Sequence, residues 1–147
     1  MIQSDRLGPI ECNESMLLHF ADGLLGFEHL SDFAVVAADD DGVYFWLQSA
    51  DDSSVAFLTV VPGLFFPDYE PDVPDLDVEA LDLSKPSDAH VLCIITIGED
   101  AITANLLGPV IVNVSTRAAR QVVLGEQRWS VHAPLGAVTS DGSLCSS

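Results

Sequence analysis

Over much of its length this chain is written in short apolar runs of period two, each closed by turn residues before a helix could form. Val43 to Ser49 sets Val43, Phe45 and Leu47 against Tyr44, Trp46 and Gln48, the alternation that gives a strand two different faces. Phe33 to Ala37 precedes it, with Asp39-Asp-Asp41 and Gly42 as a tight connection, and Asp51-Asp-Ser-Ser54 turns the chain into Val55 to Val61. Val91 to Ile97, Val110 to Val114 and Arg120 to Leu124 follow. Leu7 to Cys12 and Met16 to Phe20 read as an opening pair around the turn Cys12-Asn-Glu-Ser15. No crossover helices interrupt these runs, so a doubly wound α/β fold is disfavoured. The expected fold is mainly β: a small antiparallel β-barrel-like single domain with at most one or two short helices.

Two stretches depart from plain alternation. In Thr103-Ala-Asn-Leu-Leu-Gly-Pro-Val-Ile-Val-Asn113, Gly108-Pro109 ends one extended segment and begins another, because Pro fixes φ and donates nothing to a ladder. Past the break, Val110, Val112 and Val114 should share one face and Ile111 and Asn113 the other. Between Pro62 and Pro86, five prolines (62, 67, 71, 74, 86) forbid a regular central strand. Seven acids fall between Asp68 and Asp82 without one base. A short helix is expected at about Asp77 to Leu83, with acids near its start where the helix dipole favours them.

A chain of 147 residues can bury roughly 68–70% of its unfolded surface in one core. With 48% apolar residues and a positive mean hydropathy, most of it must fold. The charge tells a second story: 23 acids against 5 bases give −18. Such a surface repels phosphate backbones, anionic membranes and copies of itself, and steers basic proteins toward it. A basic protein partner, a monomeric chain and no direct contact with nucleic acid or membrane are therefore expected. Cys12, Cys93 and Cys145 have no short-range spacing, which argues against a disulfide framework or a zinc site; Cys93 reads as a small buried hydrophobe. The N-terminus lacks a hydrophobic signal core and no apolar run approaches the roughly 18 residues of a membrane span, so the expected compartment is the cytoplasm. Gly136 to Ser147 is small and polar and reads as a disordered tail, leaving residues 1–135 as the folded domain.

The motifs of common chemistries are missing: no phosphate-cradling glycine loop, no G-x-S-x-G, no H-E-x-x-H. His19, His29, His90 and His132 lie far apart in sequence, and His19, flanked by Leu18 and Phe20, should face outward from a strand. No catalytic residue, metal ligand or cofactor is assigned. Three constellations suit binding instead. Leu64-Phe-Phe-Pro-Asp-Tyr-Glu70 offers aromatics edged with acids, either a loop folded onto the barrel end or a docking patch. The acidic run from Asp68 to Asp82 is either a solvated face or part of that patch. Gln48, Asn105, Asn113 and Gln121 form an amide set; Asn113 reads as a buried amide that knits strands. The candidate partner-binding residues are Gln48, Leu64, Phe65, Phe66, Tyr69, Glu70 and Asn105. Tyr69→Ala or Phe66→Ala should then weaken binding by about 1–2 kcal/mol with melting unchanged.

Taken in order, Gly23-Leu-Leu-Gly-Phe27, Phe45-Trp-Leu-Gln-Ser49, Ala56-Phe57, Pro67-Asp-Tyr-Glu70, the 103–113 stretch and Ala119-Arg-Gln-Val-Val-Leu124 resemble the signatures of the FliW family of flagellar assembly factors. The likeness runs from about residue 1 to residue 135. Where many members read Gln-Ala, this chain has Leu107-Gly108, so a role for a polar side chain at 107 does not carry over. The resemblance implies a barrel-like fold and two partners. One is CsrA, a small basic dimeric RNA-binding regulator that blocks translation of the flagellin message. The other is flagellin, which would take the protein away from CsrA when it accumulates. Family members are thought to dock beside the RNA surface of CsrA and lower its RNA affinity electrostatically. An anionic neighbour would act there over about 8 Å at physiological salt. Flagellin's amphipathic helices call for an apolar groove read at helical spacing, with Leu64, Phe65, Phe66 and Tyr69 as candidates. The rival reading is a small acidic hydrolase or carbohydrate-handling barrel with two carboxyls roughly 5–9 Å apart in a deep pocket. A weaker third is a nucleic-acid mimic that competes for the basic groove.

Overall fold

The computed structural model describes residues 4–5, 7–9, 17–21, 23–24, 26–69, 71, 73–84, 88–97, 101–124, 129–130 and 132–137. Nine strands and one short helix occur among them: β1 (Leu17–Phe20), β2 (Asp32–Ala37), β3 (Tyr44–Ser49), β4 (Ala56–Val60), α1 (Asp75–Ala80), β5 (Ala89–Ile97), β6 (Ala101–Ala104), β7 (Val110–Asn113), β8 (Ala118–Gln121) and β9 (Ala133–Ala137). In space the order β4-β3-β2-β1-β8-β7-β5 closes on itself, because β5 pairs back to β4 through Thr59–Ile94 and Val60–Cys93. The mainly β, barrel-like expectation holds. One pair, β1–β8, is parallel, while the other pairings are antiparallel.

Alternation along the strands builds two cores on opposite sides of the barrel wall. Phe45 and Leu47 of β3 enter the lumen with Leu18, Phe20, Phe33, Leu92, Val110, Val112 and Ala119. Phe20 and Phe33 meet edge-to-face at 5.3 Å inside the lumen, while Leu18, Phe45, Leu92 and Val112 line a cavity of about 300 Å³ with His90 and Arg117. Burying each of these rings is worth about 1.5–3 kcal/mol. Ile111, between two lumen valines, faces out instead, joining Cys93, Ile95, Leu106, Val122 and Tyr69 in an outer core. All four β7 residues are therefore buried, and Val114 comes back to the surface. The outer core is roofed by residues 61–84, which leave the barrel at Pro62 and return at β5, and by β6 and β9, which extend the sheet beyond β5.

Turn chemistry places the hairpins where expected. Asp39 Oδ1 accepts the amides of Val43 and Tyr44 across the β2–β3 turn, and Ser49 Oγ accepts those of Asp51 and Asp52 after β3. Gly23, at φ +69°, has no room for a side chain: a Cβ there would lie 2.5 Å from the Glu28 backbone. His19 projects outward as read, 2.8 Å from Asp32.

Several elements differ from the sequence reading. β9 was unforeseen, being five residues long, and the extended segment read before Gly108-Pro109 is β6, which ends at Ala104. β9 carries Pro134, which suits an edge strand, and it extends two residues beyond the boundary placed at 135. The helix starts two residues before Asp77, because Pro74 presets the backbone at its N-cap. Leu7 to Pro9 form turn and bend rather than strand, closed by mutual hydrogen bonds between Ser4 and Gly8. The Cys12–Ser15 turn and residues 138–147 lie outside the described residues.

Candidate interaction surface

The roof over the outer core begins where β4 can no longer continue. Pro62 starts a 3-10 turn whose carbonyl accepts the amides of Phe65 and Phe66 at 3.0 and 2.8 Å. Tyr69 then drops into the core, 8% exposed, with its ring edge-to-face on Trp129 at 4.6 Å. Its hydroxyl donates to the Leu106 carbonyl at 2.6 Å. Burial, and then the neighbouring Cys93, push the Tyr69 hydroxyl pKa upward. Burial likewise raises the Cys93 thiol to about 12, so both stay protonated at neutral pH.

Beyond Pro71 and Val73 the roof is tied down twice more. Asp77 of α1 pairs with Arg120 of β8 at 2.5 Å, both partly buried. Asn113 of β7 donates through Nδ2 to the carbonyls of Leu81 (2.8 Å) and Asp82 (3.3 Å). Its Oδ1 accepts the amides of Ser115 and Thr116, so one amide secures both the helix exit and the β7–β8 turn. Asn113 is a buried amide as read, but it ties the roof and a turn to β7 and does not join one strand to another.

Leu106 belongs to an insertion that explains the Gly-Pro break. β6 and β7 both pair antiparallel with β5, yet between Leu92–Val110 and Ile95–Ala104 two residues of β5 face five of the other chain segment. The three surplus residues loop out. Two amides clamp this loop: Asn105 Oδ1 accepts the Gly108 amide at 2.8 Å, and Gln121 Nε2 donates to the Gly108 carbonyl at 3.1 Å. A Cβ on Gly108 would sit 3.2 Å from Asn105 Nδ2 and 3.3 Å from Gln121 Nε2, so a larger residue would require both amides to give slightly. The Val122 and Leu124 amides reach the Pro109 and Leu107 carbonyls, which is why an extended run was legible as far as Leu124 although β8 ends at Gln121.

The candidate residues therefore separate. Phe65 and Phe66 are half-buried against the outer core, and Leu64 ends the 3-10 turn. Tyr69 is a core residue, so of the two readings of its loop the one in which the aromatics fold onto the barrel end describes its place, and its loss should lower melting. Gln48 is corrected as a surface contact: it is fully buried, and its Nε2 donates to the carbonyls of Ser49 and Val55 at 3.1 Å each, filling the β3–β4 hairpin. Asn105 holds the Gly108 loop. Glu70 lies outside the described residues.

A feature missed from sequence lies along the outer face of β5. A cavity of about 380 Å³ is lined by Val73, Val78, Leu83 and Ile111, and a second of about 300 Å³ by Val61, Pro62 and Tyr69. Pro71, Ala89 and Val91 line both, so the two make one largely apolar groove with Ala89 and Val91 as its floor, to which Ser84 and His90 add polar groups. Among the described residues no Asp or Glu lines either cavity. Asp68, Asp75, Glu79 and Asp82 of the roof are exposed. Leu76 projects from the outward side of α1, 78% exposed. The prolines of the roof were the available signal, since a segment that cannot pair with a sheet leaves gaps where it crosses one.

Comparison with known proteins bears on what such a surface is for. The FliW protein family model matches residues 1–135. The flagellar assembly factor FliW of Moorella thermoacetica is 39% identical over 137 residues, covering 91% of this chain and 87% of that protein. The factor of the same name from Treponema pallidum is 40% identical over 130 residues, covering 87% and 86%. A crystal structure of a flagellar assembly factor FliW superposes with a TM-score of 0.83 at 29% identity, covering 90% of this chain and 94% of that one.

Proposed function

The chain belongs to the FliW family of flagellar assembly factors, and from that premise we propose that it is a cytoplasmic, non-enzymatic, partner-switching regulator. It binds the basic RNA-binding dimer CsrA, relieving CsrA's repression of flagellin synthesis, and it binds flagellin in a chaperone-like complex. While flagellin is scarce the protein occupies CsrA and synthesis proceeds; accumulating flagellin withdraws it and repression returns. The observation that supports this most directly is the charge of −18. An anionic body beside a basic RNA-binding surface lowers the local potential and with it the affinity for phosphate, and it draws cationic partners in at raised rates. No helix among the described residues is long and apolar enough to cross a membrane.

Titrating the purified chain with CsrA and flagellin, separately and together, tests the proposal. Each should bind alone, CsrA more weakly as salt rises, and excess flagellin should release CsrA. No complex with CsrA even at low salt would overturn it. Displacement of RNA from CsrA by simple competition, rather than through a ternary state, would favour the nucleic-acid mimic.

A further inference from the structure

We propose that one end of the barrel is a binding site for a small aliphatic carboxylate, its tail in the lumen and its head on Arg117. The two ends of the lumen are built differently. Where β1 ends and β2 and β4 begin, Phe20, Phe27, Phe33 and Phe57 pack together, with ring centroids 5.2 to 6.1 Å apart. Where β1, β3, β5 and β8 begin and β2 and β7 end, there is instead a cavity of about 300 Å³, a size near the lower bound of small-molecule sites. Leu18, Val35, Phe45, Leu92 and Val112 give it an apolar wall, and Val114, 40% exposed, continues that wall to the surface. Its polar lining is His90 and Arg117, both exposed; among the described residues no Asp or Glu lines it.

Arg117 is the more telling of the two. Its φ is +69°, and among the described residues only Asp82 shares a positive φ without being glycine. A short Asp accepts that conformation more readily than a long side chain does. The Arg117 amide donates to the Asn113 carbonyl and its carbonyl accepts the His19 amide, both at 2.9 Å, so the β7–β8 turn imposes this φ. Glycine would suit the turn better, and the fold asks nothing of an arginine there that would offset the strain. Arg120 is paired with Asp77, whereas among the described residues Arg117 pairs with no acid. The nearest turns do carry acids. Asp39 is turned to the amides of Val43 and Tyr44, and Asp88 to that of Ser84, while Asp40 and Asp41 are exposed to screening solvent. The charge of −18 opposes any anion at long range, but salt screens it beyond about 8 Å. A guanidinium in direct contact takes a carboxylate through two parallel hydrogen bonds, a contact that neutral and cationic amphiphiles forgo. The lumen wall then rewards an aliphatic tail, by about fourfold in affinity per methylene buried.

Calorimetric titration of the full chain with octanoate below its micelle concentration, together with methyl-group NMR, tests the site. Octanoate should bind once per chain and shift the signals of Leu18, Leu92 and Val112, leaving Val73 and Val91 of the outer groove in place. Hexanoate, two methylenes shorter, should bind roughly tenfold more weakly. Octanol should also lose about tenfold, and octylammonium more. Arg117→Gly, which suits the turn, should cost octanoate at least tenfold and leave octanol unchanged, with melting undiminished. Should melting fall, Arg117→Asn, also at home at positive φ, takes its place in the comparison. Octanoate that fails to bind, an affinity untouched by the loss of Arg117, or shifts confined to the outer groove would each overturn the assignment. A peptide ending in Leu that binds more tightly than octanoate, and is lost on amidation of its terminus, would overturn it in favour of a polypeptide ligand. None of these outcomes involves CsrA or flagellin, so the function proposed above stands or falls separately.

Discussion

Ile111 and Val112 are neighbours on one strand, yet the cores they enter are built on different terms. Val112 joins a lumen cluster whose residues are all apolar and are fixed by ladder register. Ile111 joins an outer core that includes a tyrosine and a thiol and is roofed by a segment no ladder reaches. There, three side-chain ties do what register does inside, and a groove remains. The two sides of one barrel wall are thus held by different means, ladder register inside and single side-chain ties outside.

This contrast can be broken or sharpened by substitution. Phe33→Ala, in the lumen, should cost about 3–5 kcal/mol and lower the single unfolding midpoint. A small loss there would mean the lumen is less tightly packed than its contacts suggest. Asn113→Ala leaves two carbonyls and two amides short of a partner and should cost about 1–3 kcal/mol. Hydrogen exchange should show the loss first in residues 75–82, not in β2 and β3. Tyr69→Phe keeps the ring against Trp129 but removes the bond to Leu106, for about 0.5–1.5 kcal/mol. Arg120→Met should cost under about 1 kcal/mol, because the pair it breaks is partly solvated; its effect should fade in high salt.

The outer core also carries a pH signature that the lumen lacks. The Cys93 pKa is raised from 9.0 in the unfolded chain to about 12 in the folded one. Below pH 9 neither state ionises and the stability is intact. Between about 9 and 12 only the unfolded chain loses its proton, so stability falls as pH rises. Denaturant midpoints measured across that window should decline, and Cys93→Ala should make the decline shallower.

Much of the lumen was legible because alternation is a local signal: Phe45 and Leu47 against Tyr44 and Trp46 already state which side is in. The outer core was not. Tyr69 looks like a surface aromatic from its neighbours Pro67, Asp68 and Glu70, and only the distant Leu106 carbonyl and Trp129 ring explain its burial. Gln48 looks like an exposed amide on an alternating strand until the following hairpin folds over it. Asn105 and Gln121 stood out as odd amides without disclosing that both hold one peptide, that of Gly108. The groove had no motif at all, because it is a gap between the roof and the outer face of β5 that no local pattern records.

The parallel seam between β1 and β8 joins residues 19 and 20 to 118 and 119, about a hundred positions later. Hairpins such as β2–β3 and β3–β4 can form as the polypeptide leaves the ribosome, but the ring cannot shut until nearly all of it has been synthesised. A product released before β8 would carry β1 with one edge open and Phe20 without Ala119 beside it. Such a fragment is a candidate for aggregation rather than a weaker binder.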